Sequence, residues 1–168
     1  MSVFGLASNK QITVDGIRLS NPYITNKAQN AYGHFSVKGL IETYSSTFFN
    51  PHHEGSPTKL IIRGKIVNAV YQLSKDIIEY YKELAIDTPI NLSCAIINGQ
   101  GYTMPMNSWG DTLGQIDRDL LLVPDFIMDS ISVTPETIAK NLLDGIWHAC
   151  GFSDCPAINS IGQFFELS

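Results

Sequence analysis

The sequence predicts an α+β fold, with an antiparallel sheet built from hairpins and covered by one long helix and a second, C-terminal helix. Short segments rich in β-branched and aromatic residues are separated by turn residues, as at Asp15-Gly16. Apolar residues at helical spacing fill the middle of the chain. A proline-capped helix start follows at Thr134-Pro135. The order is therefore strands, a long helix, more strands and a second helix.

The length of 168 residues fits a single globular domain covering residues 1–168. Folding at this size buries about 70% of the unfolded surface, so neither a metal nor a disulfide is needed for stability. Within this domain, residues 1–31 are expected to form an edge hairpin and an irregular connection.

Two hairpins are predicted before residue 50. Residues 10–20 alternate partly in polarity and carry Asp15-Gly16 at their centre, a two-residue turn signal. Residues 21–33 are rich in Asn, Gly and Pro and predict an irregular connection. The segment HFSVKGLIETYSSTFF then predicts a second hairpin with Lys38-Gly39 at its turn.

The long helix is predicted to begin at Ser56, its N-cap, with Pro57 at the first helical position. It should end near Ala85, because the residue before Pro89 avoids the helical region. Apolar residues spaced three and four apart predict one stripe facing the core. The stripe contains Ile66, Val70, Leu73, Ile77, Tyr81 and Leu84.

The second half of the chain predicts a third hairpin over residues 90–106, with NGQG at its turn. The first arm, INLSCAII, is apolar enough to suggest a central strand buried on both faces. A loop over residues 107–115 precedes a strand that Pro124 confines to a strand end, a bulge or an edge. The last helix starts at Thr134 and is stopped by Gly151.

Charge and cysteine content limit the classes of function. The net charge of -5 repels a phosphate backbone, and the basic residues do not gather in sequence, which argues against direct binding of nucleic acid. Three cysteines are an odd number, and Cys94 lies in an apolar run, as in a reduced, cytoplasmic protein. No leader signal and no long apolar run is present, so no membrane association is expected.

Two groups of residues invite a metal interpretation. His52, His53 and Glu54 precede the predicted start of the long helix, but adjacent histidines rarely chelate one ion. His148 and Cys150, with Cys155 further on, supply suitable ligand types. Positions 148 and 150 face apart on a helix, however. We therefore predict neither a metal nor a cofactor, and no catalytic residue.

Aromatic and methionine side chains around one loop predict an interaction surface. This group comprises Tyr102, Met104, Met106 and Trp109, residue types enriched at the centres of protein interfaces. A plain core role for them is the alternative. The low charged fraction of 16% also favours an interface with a protein partner or with a second copy of the chain.

An acidic turn provides the alternative site. Asp117 and Asp119 flank Arg118, and in an extended segment the two carboxylates would share one face, as a divalent ion or an acid/base pair requires. A turn with a surface ion pair is the simpler interpretation.

Beyond these patterns, residues 35–151 resemble the C-terminal region of bacterial Schlafen-like, AlbA-type DNA/ATP-binding proteins. The matching segments are FSVKGLIE, LSCAIINGQGYTM, IDRDLLLVPDFIMD and LLDGIWHACGF. No position in these segments matches a site residue of the Schlafen-like domain, so none of that family's site residues can be transferred. The resemblance implies an accessory or sensing domain, with a role in a bacterial defence system.

Three functional classes follow. The first is a non-catalytic protein-interaction or sensor domain, favoured by the lack of recognisable catalytic motifs and by the resemblance. The second is a divalent-metal-dependent hydrolase or nuclease using Asp117 and Asp119. The third is a module that binds a small ligand such as a nucleotide.

Overall fold

The computed structural model describes residues 9–20, 31–50, 59–105, 111–159 and 164. The chain divides into two compact units, residues 1–48 and 49–168. The single-domain prediction requires that both units unfold in one transition, and it stays a prediction.

The described residues form strands and helices in the predicted order, which confirms the α+β class. The first unit contains β1 (Asn9–Thr13), β2 (Gly16–Ser20), β3 (Ala31–Ser36) and β4 (Ile41–Ser45). The second unit contains β5 (Phe49–Asn50), β6 (Lys59–Ile61), α1 (Arg63–Glu83), β7 (Ile90–Ile97), β8 (Tyr102–Pro105), β9 (Thr112–Gln115), β10 (Leu120–Met128) and α2 (Pro135–Ala149).

The first unit is a four-stranded antiparallel meander in the order β1-β2-β3-β4. Both predicted hairpins are present, but Thr13 pairs with Gly16, so the first loop is Val14–Asp15. The N–H of Val37, in the second turn, donates to the carbonyl of Asp15 at 2.8 Å. The two turns therefore lie side by side at one end of the sheet. Strand β3 begins at Ala31, inside the segment predicted to be irregular.

The predicted start of the long helix is wrong. Helix α1 begins at Arg63, after the N-cap Ile62, and its last residue is Glu83. Residues 59–61, predicted to be helical, form β6, which pairs antiparallel with β5 and parallel with β8. The backbone of this segment therefore pairs with neighbouring strands. A local helix-cap signal cannot predict such long-range pairing.

The buried face of α1 is rotated from the predicted stripe. Ile77 is only half-buried and Leu84 is 51% exposed, whereas Ile78 is buried. The apolar residues of this helix are compatible with two neighbouring stripes, and packing against α2 selects one of them. The hydroxyl of Ser74, which is buried on this face, donates to the carbonyl of Val70 at 2.8 Å. The buried residues of α1 are Ile66, Val67, Ser74, Ile78 and Tyr81.

The predicted third hairpin is also wrong, because β7 does not pair with β8. Strand β7 pairs antiparallel with β10, while β8 lies in the sheet β5-β6-β8-β9. The register of β7 and β10 shifts between Val123 and Phe126, which places a bulge at Pro124, one of its predicted settings. Residues 112–115, predicted to be loop, form β9.

Helix α2 confirms its predicted caps. The Thr134 side chain accepts from the N–H of Thr137, and Gly151 has a φ of +87°. The helix packs on β10, where a Cβ added at Gly145 would lie 2.6 Å from a methyl group of Val123. Trp147 is fully buried. No helix among the described residues is long and apolar enough to cross a membrane.

Candidate functional site

The β7–β10 ribbon exposes one face to solvent, which we call the outer ribbon face. Residues at odd positions of β7 are exposed while Ile90 and Ile96 are buried, so the strand is not buried on both faces as predicted. The partners in register on this face are Ile97 with Leu120 and Ala95 with Leu122. The outer ribbon face comprises Asn91, Ser93, Ala95 and Ile97 of β7 with Leu120, Leu122, Asp125 and Ile127 of β10.

Four large aliphatic side chains of this face are each more than half exposed. Their exposures are 69% for Ile97, 51% for Leu120, 67% for Leu122 and 58% for Ile127. Three of the four lie together at the end where β7 finishes and β10 starts. Single exposed aliphatic residues are ordinary, but a contiguous group on one sheet face is typical of an interaction surface.

The other end of the outer ribbon face is polar and fixed by the bulge. Pro124 and Asp125 oppose Ser93 across the ribbon, since the register resumes only at Phe126. The Ser93 hydroxyl donates to Asp125 at 2.7 Å, and the Asn91 amide lies 3.4 Å from the same carboxylate. These bonds hold the Asp125 carboxylate at the face, next to the apolar end.

The charge around this face is almost entirely negative. Residues 87–98 and 117–130 contain one cationic side chain, Arg118, which is bonded to Asp117 at 2.6 and 2.9 Å. The carboxylates in these segments are all exposed, and they are Asp87, Asp117, Asp119, Asp125 and Asp129. A phosphate backbone or a second acidic surface would meet repulsion here.

The two strands of the ribbon each pair with a strand on one side only, within the part of the chain that the structure describes. The ribbon contains β7 and β10 alone, so each strand has one edge without a strand partner there. A strand edge that no other strand covers can pair with another chain. The outer ribbon face and the strand edges therefore both favour contact with another polypeptide chain.

The first unit carries a different surface, a polar cleft of about 250 Å³. Its lining comes from all four strands and the first turn, and consists of Thr13, Asp15, Arg18, Tyr32, His34 and Glu42. The β2–β3 register places Arg18 opposite His34, and the β3–β4 register places His34 opposite Glu42. Three ionisable side chains therefore form a row across the sheet.

Aromatic contacts organise one side of the cleft. The Arg18 guanidinium lies 4.4 Å from the centre of the Tyr32 ring, which stacks on Tyr44 at 5.5 Å. The Tyr32 hydroxyl donates to Glu42 at 2.5 Å. This hydrogen bond to Glu42, followed by burial, raises the pKa of Tyr32. The phenol therefore stays protonated near neutral pH.

A cluster of three side chains forms the other side. The Thr13 hydroxyl donates to Asp15 at 3.1 Å and lies 3.3 Å from Nε2 of His34. The same ring nitrogen lies 3.4 Å from Asp15. A nucleophile triad needs the carboxylate on the opposite ring nitrogen, so this arrangement does not match one.

The predicted interaction residues separate in the structure. Tyr102 is half-buried against Phe49, with ring centres 5.0 Å apart. Met104 is fully buried, so its side chain belongs to the core and does not contribute to a surface. Met106 and Trp109 lie outside the described residues. For Met104, the alternative of a plain core role therefore applies.

The acidic turn of the enzyme alternative is a bend between β9 and β10. The Asp117 carboxylate is occupied by Arg118, whose hydrogen bond lowers the pKa of Asp117. Asp119 is exposed, and its carbonyl accepts from the N–H of Gly99 at 2.9 Å. The contacts are those of a surface ion pair and a turn.

The histidine and cysteines near the end of α2 do not form a ligand group. His148 is exposed and Cys150 is buried, as their helical spacing predicts. A ring nitrogen of His148 donates to the Ser153 carbonyl at 2.5 Å. Burial raises the pKa of Cys150 and of Cys155 to about 11, so both thiols stay protonated near neutral pH.

The other residues considered as metal ligands, His52, His53 and Glu54, lie outside the described residues. Among the residues that the structure does describe, no three His, Cys, Asp or Glu side chains form a group that could hold a metal.

No protein-family model, curated protein or solved structure matches this chain.

The sequence patterns did not reveal either surface. The outer ribbon face was hidden because INLSCAII contains enough apolar residues for burial on both sides. Its Asn91 and Ser93 at odd positions were the available signal. The cleft residues lie up to 29 positions apart, from Thr13 to Glu42, and only strand register brings them together.

Proposed function

We propose that this chain is a non-catalytic protein-interaction domain whose docking surface is the outer ribbon face. The observation that carries the proposal is the group of four aliphatic side chains, each more than half exposed, on one face of a two-stranded ribbon. Burying such side chains yields about 1.5–3 kcal/mol each when burial is complete. A partner that covers this face therefore has a substantial source of affinity.

The charges around the face favour a partner polypeptide with aliphatic side chains flanked by Lys or Arg. Five exposed carboxylates and one paired guanidinium would oppose a second copy of the same face. The same charges oppose nucleic acid. Basic side chains on the partner would instead meet the aspartates while its aliphatic side chains cover Leu120 and Leu122.

The resemblance to the C-terminal region of Schlafen-like proteins enters this proposal as its biological context. It would make the chain an accessory or sensing domain that acts through a larger effector, in a defence system. The enzyme alternative has less support, because the Asp117 carboxylate forms an ion pair with Arg118.

Binding to defined peptides tests the proposal. Eight-residue peptides that alternate Leu or Ile with Lys are compared with peptides in which Glu replaces Lys. We expect the Lys peptides to bind and the Glu peptides to fail. Leu122→Asp should weaken binding at least tenfold, about 1.4 kcal/mol. The matched control is Leu113→Asp, at a side chain that is 55% exposed on β9, outside the face.

Three results would count against the proposal. Equal binding of both peptide classes contradicts the charge argument, and equal loss in both Asp variants contradicts the location. Sedimentation velocity provides the third: if the wild-type chain is a dimer that Leu122→Asp dissociates, the occupant is a second copy and the heterotypic partner is wrong.

A further inference from the structure

The two adjacent turns of the first unit expose aliphatic side chains, and we call this surface the hairpin end. It comprises Ile12 and Val14 of the first hairpin with Val37, Lys38 and Leu40 of the second. Val14 is fully exposed, and Leu40, the least exposed of the four aliphatic residues, is still 62% exposed. The bond from the second turn to the first holds the two turns side by side. The aliphatic side chains of both turns therefore form one surface.

The backbone of the second turn is bonded within the protein. The N–H of Val37 donates to the Asp15 carbonyl at 2.8 Å, and the N–H of Gly39 donates to the Ser36 carbonyl at 3.1 Å. Between them, the N–H of Lys38 donates to the Ser36 hydroxyl at 3.1 Å. An N–H group without a partner is costly in an apolar medium. These three consecutive N–H groups therefore do not oppose contact with such a medium.

The charged side chains are divided between the two faces of the meander. The carboxylates of Asp15 and Glu42 line the polar cleft. Although Asp15 lies in the first turn, its carboxylate accepts from the Thr13 hydroxyl at 3.1 Å, on the side of the cleft. Side chains alternate between faces along a strand, so Lys10 of β1 lies on the opposite face from Thr13. With Lys38 exposed in the second turn, cationic side chains accompany the aliphatic ones.

We propose that the hairpin end contacts the surface of a bilayer that contains anionic lipids. Its aliphatic side chains would enter the boundary between headgroups and acyl chains, and Lys38 would lie at the lipid phosphates. Residues 1–48 favour such a surface, because they contain four Lys or Arg against two Asp or Glu, although the whole chain has a net charge of -5.

The small size of the hairpin end favours lipid over a protein partner. A stable protein interface buries about 800 Å² on each partner and uses about 20–30 residues. The hairpin end has five residues, and a bilayer receives apolar side chains without a complementary surface. Such a peripheral contact needs neither a leader signal nor a long apolar run, the observations behind the expectation of no membrane association.

Co-sedimentation of the full chain with phospholipid vesicles tests this inference. Vesicles of equal parts phosphatidylserine and phosphatidylcholine should bind the chain more tightly than vesicles of phosphatidylcholine alone, and added salt should weaken the binding. Val37→Asp and Val14→Asp should each weaken it at least tenfold, because each replaces an exposed aliphatic side chain with a charge that anionic lipid repels. Circular dichroism should show both variants folded. Leu122→Asp, on the outer ribbon face, is the matched control and should bind as the wild type does.

A lysine variant tests the charge argument separately. Lys38→Gln should weaken binding to the anionic vesicles about fivefold, and Lys38→Arg should restore it. Absence of binding to the anionic vesicles, or an equal loss in Leu122→Asp, would overturn the inference. If the chain instead binds a peptide that alternates Leu with Glu, and Val37→Asp abolishes that binding, the occupant is an acidic polypeptide and the bilayer is wrong. Peptide binding by the outer ribbon face should be unchanged in Val37→Asp, so the two proposals can fail independently.

Discussion

The two units expose opposite kinds of surface. The meander of the first unit has a polar cleft in which ionisable side chains from neighbouring strands meet. The ribbon of the second unit has an outer face with four exposed Ile and Leu side chains. Helix α2 packs on β10, and the aliphatic residues of the outer ribbon face remain exposed. The comparison separates a polar surface lined by ionisable side chains from a surface with exposed aliphatic side chains.

The largest expected effect tests whether the two units are energetically separate. Ile78→Asp places an unpaired charge on the buried face of α1 and should cost several kcal/mol, enough to unfold the second unit. The single-domain prediction requires the native His34 signal of the first unit to disappear as well, which NMR measures.

The matched variant is Ile77→Asp, at a half-buried position one residue away. Its thermal unfolding midpoint should fall clearly less than that of Ile78→Asp. Equal unfolding midpoints for the two variants would mean that Ile77 faces the core, as the sequence predicted. A native His34 signal in unfolded Ile78→Asp would show that the units fold independently.

A smaller effect is expected when one glycine of each unit is replaced by alanine. Gly145→Ala brings a Cβ to 2.6 Å from Val123 and should destabilise the second unit by about 1–3 kcal/mol. Gly39 has a φ of +82° and open space around it, so Gly39→Ala should cost about 1 kcal/mol through backbone strain alone. Urea unfolding curves measure both. A Gly39→Ala cost above that of Gly145→Ala would mean that α2 can move away from β10.

The smallest effect concerns a tyrosine–carboxylate bond of a kind found in both units. Tyr71 donates to Glu136 at 2.7 Å, as Tyr32 does to Glu42. Burial opposes ionisation of Glu136, but hydrogen bonds, the strongest from Tyr71, lower its pKa below the usual 4.5. This stabilisation is therefore present above pH 4.5 and disappears as the pH falls through the lowered pKa.

Tyr71→Phe should accordingly reduce stability by less than about 1 kcal/mol at neutral pH, because the carboxylate is partly solvated. The difference from wild type should shrink below pH 4.5. Denaturant unfolding between about pH 3 and 7 measures this, and a difference that is constant with pH would mean that the lost contact is packing.

The sequence by itself determined the class of fold and the local signals that act over a few residues. Thr134 caps α2 as predicted, since the cap bond spans three residues. Pro124 lies at a bulge because it lacks an N–H for a regular ladder. The hairpins of the first unit also follow from turns between strands that are neighbours in sequence.

Tertiary structure decided everything that depends on long-range pairing. Residues 59–61 became a strand through β5 and β8, although the preceding Ser-Pro favoured a helix. Strand β7 paired with the nine-residue β10 in preference to the four-residue β8, which left its outer face in solvent. Both candidate sites depend on such pairings, because a sheet brings side chains together by register. The periodicity of a sequence predicts which side chains share a face of a strand. It does not predict which other strand pairs with that strand.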